Sequence, residues 1–573
     1  TLTINNVSVL NKKWLLKNTD KHSSVSKKLL TNRGLTDESQ INAYLNPNYQ
    51  KGFHDPFLMK DMDRAVMRIK NAITTNERII IFGDYDVDGI SGTAILYQTL
   101  KVCGANVSYR LPHRVKDGYG LSNAFVEDFA KAKAKLVITV DCGISCWKQI
   151  EMAKSFGIDV IITDHHTLPE KFPHAARAVL HPLQPDCIYP FKGLTGAGVA
   201  YKLASGLMAD KFSSEEREKF LFSLLDLASL GTVADIGPAK DENRIIIKYG
   251  LEALKNTRWS GLRFLKENAG IAPNDKIDVH TIGFRIGPRI NAAGRIDHPY
   301  YALQLLLNTE DDVKGKKLAG HLEKLNRTRQ QMVIKALEEA ENQYSSQKSN
   351  KKIFIAWSAN WHTGILGLIA GRMAEKYCLP CIILQDFGDY LVASARSPEN
   401  FNVVEAITAN GKYLEHFGGH AQAAGLNIKK ENLAGFVEAI TSYADEKLAN
   451  VVDKPTINID CELEEKDLNE DLMIFLEQME PFGPGNSQPL FLIKNARHAF
   501  AKRVGKTQNH LSFQVHISEN GSGKMQAIAY SFGEHKNILE QHAAIDIVCS
   551  LERNVYNSRS RLQLKIVDFA QSS

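Results

Sequence analysis

The chain has 573 residues, of which 44% are hydrophobic and 24% charged, and 70 Lys and Arg against 65 Asp and Glu leave a net charge of +5. At roughly 150 residues per domain, this length indicates about three or four domains. The apolar fraction excludes an intrinsically disordered chain, and no apolar run reaches the ~18 residues that a membrane span needs. The N-terminal residues show no signal-peptide pattern, so we expect a cytoplasmic protein without membrane contact. The net charge alone does not indicate a nucleic-acid partner.

The cysteines are scattered through the chain, which is typical of proteins from a reducing compartment and not of a disulfide framework. Cys378 and Cys381 have the CxxC spacing of zinc and redox sites. A tetrahedral zinc site needs a second pair of ligands, and none lies at standard spacing. The pair opens the apolar segment CIILQ, so we expect two buried packing cysteines.

Between residues 55 and 308, short β-branched runs alternate with amphipathic helical stretches. The runs cover residues 78–82, 105–111, 135–140 and 159–163, and mostly helical sequence follows over about 196–282. Strands that alternate with helices predict a parallel sheet with helices on both faces.

The rest of the chain predicts three further parts and an N-terminal segment. One long charged helix begins after Thr309, its expected cap, with Asp312 three residues on. Strand–helix alternation then resumes and predicts a smaller α/β domain, and short alternating strands at the end predict a small β-barrel. The N-terminal segment is expected to cover the first domain. The expected parts of this α/β multidomain protein are residues 1–54, 55–308, 309–345, 346–453 and 454–573.

Acidic and imidazole side chains follow the predicted strands of the first domain. They are Asp84, Asp86 and Asp88, then Asp141, then the triplet Asp164-His165-His166, and finally Asp235 in the helical stretch. In an open α/β sheet, ligands bind at the carboxyl ends of the strands. Clustered carboxylates cannot be buried there without a counter-charge. Oxygen and imidazole ligands without a thiolate suit Mn²⁺ or Mg²⁺, so we expect a metal centre.

Each of these elements has a second interpretation when it is taken alone. A single Asp at a strand end is often a helix N-cap, and an Asp-His-His triplet can lie in an ordinary loop. The run that begins at Asp84 could be a calcium loop, but an EF-hand needs Glu at the twelfth loop position, where this chain has Ile95, and a preceding helix. Four acidic elements in order favour the metal centre.

Several segments resemble the motifs of a known superfamily. GDYDVDG (83–89), VDCG (140–143), TDHH (163–166) and GTVAD (231–235) resemble, in this order, the four motifs of the DHH phosphoesterases. TIGFRIGPRINAAGRI (281–296) is similar to the signature of RecJ-type nucleases. NWHTGILGLIAGR (360–372) and FGGHAQAAG (417–425) resemble the DHHA1 domain, and PFGPGNSQPLF (481–491) resembles the start of an oligonucleotide-binding (OB) domain. Over about residues 80–500, the chain thus resembles the RecJ-type family, single-strand-specific 5′→3′ DNA exonucleases of bacteria.

The resemblance implies hydrolysis of phosphodiester bonds with two Mn²⁺ or Mg²⁺ ions. The implied metal ligands are Asp84, Asp86, Asp88, Asp141, His165 and Asp235. Asp141 is the expected bridge between the ions. Phe82, which cannot bind a metal, stands where many relatives have a ligating His. Asp84 therefore either binds a metal directly in place of that His or supports the other ligands. His166 is expected to contact the scissile phosphate or to protonate the leaving oxygen, and its alternative role is structural.

The resemblance also implies residues that contact the substrate. They are Arg114 and Tyr119 in one loop, Arg289, Asn291 and Arg295 in GPRINAAGR, Arg396 in ASARS, and His420 in GGH. Without the resemblance, the arginines of GPRINAAGR could equally pair with surface carboxylates, and the loop would be an ordinary one. A cleft between the DHH and DHHA1 domains that is too narrow for a duplex would explain a preference for single strands.

The C-terminal part carries an uneven charge. Residues 455–480 hold nine acidic residues and one basic residue, whereas residues 481–573 hold eleven basic and six acidic residues. Phe500, Lys502 and Arg503 combine an aromatic face with cationic groups, as single-strand-binding surfaces do. The alternative is that the phenylalanines, including Phe491, belong to the core of the barrel.

The expected partner is therefore single-stranded DNA. The resemblance also implies a single-strand-binding protein and a RecQ-type helicase as partners, and we expect a monomer. A second hypothesis is a DHH phosphoesterase that acts on short oligonucleotides or cyclic dinucleotides, although such relatives lack the OB domain. A third is a degenerate DHH protein that serves as a replication scaffold, which the intact set of carboxylates and histidines disfavours.

Overall fold

The computed structural model describes residues 2–4, 8–211, 213–347, 352–449, 455–517, 523–556 and 559–572. The chain forms two compact units. The first comprises Phe53–Gly237 and Glu242–Val451, and the second comprises Thr1–Gly52, Pro238–Asp241 and Val452–Ser573. The expected boundary at 453/454 and part of the polar segment 345–352 lie outside the described residues.

The strands of the described residues are numbered in chain order. They are β1 Leu2–Ile4, β2 Lys13–Leu16, β3 Ile79–Gly83, β4 Val107–Arg110, β5 Leu136–Val140, β6 Asp159–Thr163, β7 Ala178–Leu180, β8 Phe354–Ser358, β9 Cys381–Asp386, β10 Tyr390–Arg396, β11 Leu414–His420, β12 Ala423–Lys429, β13 Thr456–Ile459, β14 Cys461–Glu462, β15 Phe491–Val504, β16 His510–His516, β17 Lys524–Ala529, β18 Ala544–Tyr556 and β19 Arg559–Gln571.

The α-helices are numbered in the same way. They are α1 Val25–Asn32, α2 Glu38–Leu45, α3 Met62–Thr74, α4 Val87–Val102, α5 Asn123–Lys131, α6 Trp147–Ser155, α7 Gly196–Met208, α8 Ser214–Phe222, α9 Leu225–Ala234, α10 Asp241–Lys255, α11 Ser260–Asn268, α12 Gly287–Ile296, α13 Tyr300–Leu306, α14 Asp312–Ser346, α15 Leu366–Tyr377, α16 Val403–Ala409, α17 Leu433–Lys447, α18 Glu470–Gln478 and α19 Lys536–Glu540. Within the described residues, no helix is both long and apolar enough to cross a membrane.

The first unit contains the parallel sheet that the sequence predicts. Its strand order is β4-β3-β5-β6-β7, and every neighbouring pair is parallel. The side chains of β3 and β5 are buried throughout, because helices cover both faces of the sheet. The edge strand β7 has only three residues, which is too short to give a periodic signal in the sequence.

The long helix α14 leads from this sheet to a second sheet in the same unit. The helix begins at Asp312 and not after Thr309, because the carboxylate of Asp311 accepts a hydrogen bond from the backbone N–H of Lys314. The prediction of Thr309 as the cap was therefore wrong. The buried face of α14 packs against α11, α12 and α13 before it contacts α15.

The second sheet has the order β11-β12-β10-β9-β8 and is antiparallel except for the pair of β8 and β9. It confirms a smaller α/β domain, with α15 on one side and α16 and α17 on the other. Cys381 begins β9 and is buried, but Cys378 ends α15 in a left-handed conformation and is exposed. The expectation of two buried cysteines holds for Cys381 only, because helix α15 ends before the chain enters the sheet.

The second unit is built on a closed β-barrel. Strands β15, β16, β17, β19 and β18 pair in this order, and β15 and β18 close the ring. A separate small sheet joins β1 and β2 of the N-terminal segment to β13. Residues 1–52 are therefore grouped with the C-terminal residues in one compact unit.

A buried carboxylate anchors the N-terminal segment to the barrel. Asp568 of β19 is fully buried and accepts hydrogen bonds from the hydroxyl of Ser8 and from Nε1 of Trp14, at 2.9 Å for the indole. These partners lie more than 550 positions apart in the chain. The segment is thus held by a long-range contact that no local sequence pattern reveals.

We expect Asp568→Ala to lower the free energy of unfolding of the full chain by about 2–4 kcal/mol, because two buried donors lose their acceptor. Urea-induced unfolding, followed by tryptophan fluorescence, measures this change. Asp471→Ala, at an exposed position in the first turn of α18, is the matched control and should stay within about 0.5 kcal/mol of the parent chain. Equal effects of the two substitutions would contradict the anchoring role.

Candidate active site

The acidic residues converge at the carboxyl edge of the parallel sheet. The last residues of β3, β5 and β6 lie opposite one another in the sheet register. Asp84, Asp141 and Asp164 each follow one of these strands directly, so they leave the sheet at the same edge. Asp86 caps the N-terminus of α4, and Asp235 is the C-cap of α9.

The side chains form three groups whose ligand atoms lie within 4.8 Å of one another. The groups are Asp84, Asp86 and Asp141; Asp141, His165 and His166; and Asp88, His165 and Asp235. Two residues join the groups, because Asp141 and His165 each belong to two of them. Nε2 of His165 lies 3.1 Å from Oδ1 of Asp141 and 3.5 Å from Oδ2 of Asp235.

The carboxylates repel one another strongly in this buried setting. Burial, and then the charge of Asp86, raises the pKa of Asp84 well above its usual range and that of Asp88 to about 7. The pKa of Asp141 is raised well above its usual range by burial and then by the charge of Asp88, and the same two causes raise the pKa of Asp235 to about 8. The group therefore favours any cation that can neutralise it.

His165 complements this set as a neutral ligand. Burial, and then the charge of the neighbouring His166, lowers its pKa to about 4. Histidine binds metals in its neutral form, through an unprotonated ring nitrogen. Nε2 of His165 faces carboxylate oxygens, so it is placed to bind the same metal as they do.

Asp88 is held in place by the N-terminus of α7. Its carboxylate accepts hydrogen bonds from the backbone N–H groups of Gly196 at 2.6 Å and Ala197 at 2.9 Å, and from the hydroxyl of Thr195 at 3.1 Å. Amides at a helix N-terminus favour an anion. These bonds fix the orientation of the carboxylate toward His165.

Asp164 orients His166. The fully buried carboxylate accepts hydrogen bonds from Nδ1 of His166 at 2.8 Å and from the backbone N–H of Ile144 at 2.9 Å. Burial alone would lower the pKa of His166, but the bond to Asp164 raises it to about 9. Burial alone would raise the pKa of Asp164, but the bond from His166 lowers it. Within the described residues, the second ring nitrogen of His166, Nε2, makes no hydrogen bond.

Glycines and one strained residue make room for the cluster. A Cβ atom at Gly196 would lie 2.5 Å from Cβ of Asp141, and one at Gly231 would lie 2.4 Å from Oδ1 of Asp88. Asp141 itself has a φ of 59°, in the left-handed region that few non-glycine residues adopt. Strain of this kind is concentrated at functional sites.

The donor set fits divalent cations of the Mn²⁺ and Mg²⁺ type. It offers carboxylate oxygens and one neutral imidazole without a thiolate. Oδ1 of Asp84 is buried and has no hydrogen-bond partner within the described residues, although a carboxylate oxygen of this kind needs one. A metal ion would satisfy it.

A cluster of arginines lies in the same unit. Burial, and then the charges of Arg114, Arg329 and Arg396, lowers the pKa of Arg295 to about 9. Nη1 of Arg295 donates to the carbonyl of Gly364 at 3.0 Å, and the guanidinium pairs with no carboxylate in the described part of the chain. These cations favour an anionic ligand.

The other arginines each make their own contacts. The guanidinium of Arg114 lies 4.8 Å from the ring centre of Tyr85. Tyr85 stands between Asp84 and Asp86 in the sequence. Nη1 of Arg396 donates to the hydroxyl of Ser394 at 3.1 Å. Arg289 differs, because its Nε lies 2.6 Å from Oε2 of Glu323. It forms the carboxylate pair that the sequence left open as an alternative.

Three family models match the chain. The DHH family, N-terminal domain, matches residues 78–232, the DHHA1 domain matches 350–446, and the RecJ OB domain matches 459–568. The chain is 34% identical to the single-stranded-DNA-specific exonuclease RecJ of Bacillus subtilis over 95% of this chain and 67% of that protein. It is 33% identical to the protein of the same name from Dickeya dadantii over 96% of both. The chain belongs to the RecJ family.

Solved RecJ structures share the fold of this chain. The match to the crystal structure of Thermus thermophilus RecJ in complex with Mn²⁺ has a TM-score of 0.80 and 28% sequence identity. It covers 96% of this chain and 76% of that chain. The crystal structure of the same protein in complex with Mg²⁺ has a TM-score of 0.74, with 28% identity over 96% of this chain and 74% of that chain.

In this RecJ family member, the other residues that were expected to contact the substrate lie in separate elements of the fold. The hydroxyl of Tyr119 lies 3.1 Å from Nδ1 of His166, at the edge of the metal cluster. Asn291 lies on α12 between Arg289 and Arg295. His420 ends β11 and is exposed.

Two phenylalanines of β15 differ in burial. Phe491 is buried in the core of the barrel, whereas Phe500 is 79% exposed. Phe500 lies at a bulge between Ala499 and Lys502 and has a φ of 55°. Lys502 and Arg503 are exposed beside it.

Sequence reasoning missed the residues that hold the cluster. Asp164 was visible in TDHH but received no role, and its strand-end position was the available signal. Thr195 and Gly196 lie in the segment GLTGAG, whose glycines allow a close backbone approach. Their contact with Asp88 spans more than a hundred residues and has no local signature.

We expect Gly196→Ala to weaken the binding of Mn²⁺ by about 10-fold or more, because the new methyl group displaces Asp141 and disturbs the amides that hold Asp88. Isothermal titration of the full chain with Mn²⁺ measures the affinity. Gly320→Ala is the matched control, since it is also helical and its Cβ meets nothing within 4 Å. Unchanged Mn²⁺ affinity in a folded Gly196→Ala variant would exclude this packing constraint.

Proposed function

We propose that this chain is a metal-dependent exonuclease that hydrolyses phosphodiester bonds of single-stranded DNA, degrading it 5′→3′ to mononucleotides in DNA repair and recombination. The observation that carries the proposal is the buried cluster of carboxylates around His165, whose charge requires cations. The names of the relatives, single-stranded-DNA-specific exonucleases, support the substrate. The solved RecJ structures with Mn²⁺ and Mg²⁺ support the cofactor, for which we propose two ions.

The residues that would hold the ions fall into the geometric groups. Asp84 and Asp86 would contribute to one site, and Asp88, His165 and Asp235 to the other. Asp141 would bridge them, as it shares a group with residues of both. When bound, two such ions lower the pKa of a water and neutralise the scissile phosphate.

The side chains of the protein supply the remaining functions. His166 keeps its Nδ1 on Asp164, so its Nε2 can donate to a phosphate oxygen or to the leaving oxygen. Tyr119, whose hydroxyl contacts the same imidazole, would position it further. Both residues therefore act next to the metal cluster.

The arginine cluster would bind the phosphates of the strand. Arg114, Arg295 and Arg396 repel one another in the free protein, so an anionic backbone relieves this repulsion. Asn291 and His420 would add neutral or weakly basic contacts. Arg289 would contribute indirectly, since its guanidinium holds Glu323.

The barrel would bind the strand through Phe500, Lys502 and Arg503, because an exposed aromatic ring stacks on a base while the cations contact the backbone. We further propose a monomer that acts in the cytoplasm with a single-strand-binding protein and a RecQ-type helicase. The division of the chain after residues 54, 308, 345 and 453 also stays a proposal.

A comparison of substrates tests the function. With Mn²⁺, we expect rapid degradation of a long 5′-phosphorylated single strand and slower cleavage of a dinucleotide or a cyclic dinucleotide. EDTA should stop the reaction. Asp141→Ala should reduce the rate on the order of 1,000-fold, because the shared ligand is lost while the fold is retained. Faster cleavage of the cyclic dinucleotide would favour the short-substrate phosphoesterase, and no cleavage at all would favour the scaffold.

The barrel surface has a separate test. We expect Lys502→Glu and Arg503→Glu together to weaken the binding of single-stranded DNA at low salt and to reduce the slope of affinity against salt by about 1–2 units. Fluorescence anisotropy with the catalytically inactive Asp141→Ala background measures both quantities. Lys536→Glu, on α19 of the same unit, is the matched control. DNA affinity that charge reversal leaves unchanged would contradict a DNA-binding role for this surface.

A further inference from the structure

One loop of the first unit contacts the metal cluster at both of its ends. Residues 181–195 connect β7 to α7 and form no helix or strand. At the end of this loop, the hydroxyl of Thr195 donates to Oδ1 of Asp88 at 3.1 Å. At its start, the side chain of His181 contacts the backbone of His166 at 2.7 Å. The first contact holds a metal ligand, so the second calls for a role as well.

The hydrogen bonds of His181 define its tautomer. Nδ1 accepts from the backbone N–H of Leu183 at 3.1 Å, so the neutral ring carries its proton on Nε2. Nε2 lies 2.7 Å from the carbonyl oxygen of His166 and therefore donates to it. The side chain is fully buried, and burial lowers its pKa, which favours the neutral ring. Each ring nitrogen thus has one partner, and the ring orientation is fixed.

The carbonyl of His166 depends on this donor. Residues 164–177, between β6 and β7, form no helix or strand, so no regular backbone pairing satisfies their polar groups. In the part of the chain that the structure describes, no backbone N–H donates to the carbonyl of His166. The Nε2–H of His181 is therefore the group that determines where this carbonyl points.

His166 is thereby held on both sides of its Cα atom. Its backbone N–H and its ring Nδ1 both donate to Oδ1 of Asp164, at 3.1 and 2.8 Å. Its carbonyl accepts from His181 on the other side. His165 comes directly before it, and Nε2 of His165 lies 3.1 Å from Oδ1 of Asp141. The same short backbone segment therefore orients both imidazoles.

The loop also keeps His181 itself in place. The backbone N–H of Gln184 donates to the carbonyl of His181 at 3.1 Å, and the side-chain amide of Gln184 donates to the carbonyl of Val179. Nζ of Lys192 donates to the carbonyl of Pro182 at 2.8 Å. The backbone is therefore tied down just before and just after His181.

Packing alone does not require a histidine at this position. An apolar side chain of similar size would fill the same buried space without placing two polar nitrogens there, and buried polar groups are unfavourable unless they are paired. The hydrogen bond to the carbonyl of His166 is what the imidazole adds. A residue with only a packing role would not need it.

We infer that His181 is a positioning residue of the metal-dependent reaction, whose Nε2–H holds the carbonyl of His166 and thereby orients His165 toward the metal and His166 toward the scissile phosphate. His181 lies 15 residues beyond His166 and outside the four DHH motifs. The role through His166 rests on the proposed function. The role through His165 concerns cation binding and does not require hydrolysis of DNA.

Steady-state kinetics test the role of the donor. His181→Met fills a similar volume without an N–H group, and we expect its kcat on a 5′-phosphorylated single strand with Mn²⁺ to fall about 10- to 100-fold. KM should stay within about 2-fold, because no substrate contact is lost. His181→Gln places an N–H donor close to the position of Nε2 and should retain kcat within about 3-fold. Equal losses of kcat in the two folded variants would overturn the inference.

Metal binding gives a second measurement that does not require hydrolysis. Isothermal titration of the metal-depleted full chain with Mn²⁺ should show an affinity about 10-fold lower for His181→Met and nearly unchanged for His181→Gln. If the parent chain binds Mn²⁺ but hydrolyses no single-stranded DNA, the proposed function fails, and this titration alone decides the role of His181. If kcat and Mn²⁺ affinity are both unchanged in His181→Met, the inference fails and the proposed function stands.

The barrel provides a matched control. Nε2 of His498 lies 2.8 Å from the carbonyl oxygen of His542, so it makes the same kind of bond in the other unit. His498→Met should lower the midpoint of thermal unfolding as His181→Met does, but leave kcat and Mn²⁺ affinity unchanged. Equal losses of Mn²⁺ affinity in His498→Met and His181→Met would indicate general destabilisation and overturn the inference.

An exposed residue of the loop keeps the test decisive if His181→Met does not fold. Lys192 is exposed, so Lys192→Met frees the carbonyl of Pro182 without creating a buried cavity. We expect kcat and Mn²⁺ affinity to fall about 3-fold in this variant, since the loop then holds His181 less firmly. Parent-like values of both quantities would overturn the inference.

Discussion

The repulsion among carboxylates at one edge of the parallel sheet is the constraint on which the active site depends. The register of β3, β5 and β6 brings their ends together, so acidic residues after these strands cannot avoid one another. In a buried setting, such charges require a cation or a proton. The amides of α7, the glycines that leave room for Asp88 and Asp141, and the left-handed backbone of Asp141 all maintain this geometry. The fold thus preserves an arrangement that is unfavourable without a ligand.

The arginine cluster is the electrostatic counterpart of this centre. Arg295 lies half-buried among other arginines and has a lowered pKa, just as the carboxylates have raised ones. The two sets also lie close enough to interact, because the charge of Asp86 acts on Arg295 and that of Arg114 acts on Asp84. In the function proposed above, divalent cations would neutralise the carboxylates, and the phosphates of a bound strand would neutralise the arginines. Binding of metal and substrate would therefore relieve charge repulsion of opposite sign in one unit.

The sequence predicts those features that depend on neighbours in the chain. The buried strands and the acidic residues directly after them are local, and the structure brings all six expected metal ligands together. Features that depend on distant partners escape prediction: the small sheet of β1, β2 and β13 pairs residues more than 400 positions apart. The predicted start of α14 was wrong by only a few residues. Asp311 and Thr309 could each cap the helix, and the hydrogen bond from the backbone N–H of Lys314 to Asp311 decides between them.

Strand β15 shows why burial cannot be inferred from residue type. An uninterrupted strand alternates its side chains between two faces, so two phenylalanines an odd number of residues apart face opposite sides. Phe491 and Phe500 are nine residues apart, but β15 contains two irregularities in its pairing, and Phe500 has a left-handed backbone at the second. The parity rule therefore does not apply across them. The bulged strand has a buried half that closes the barrel core and an exposed half where an aromatic ring lies beside cations.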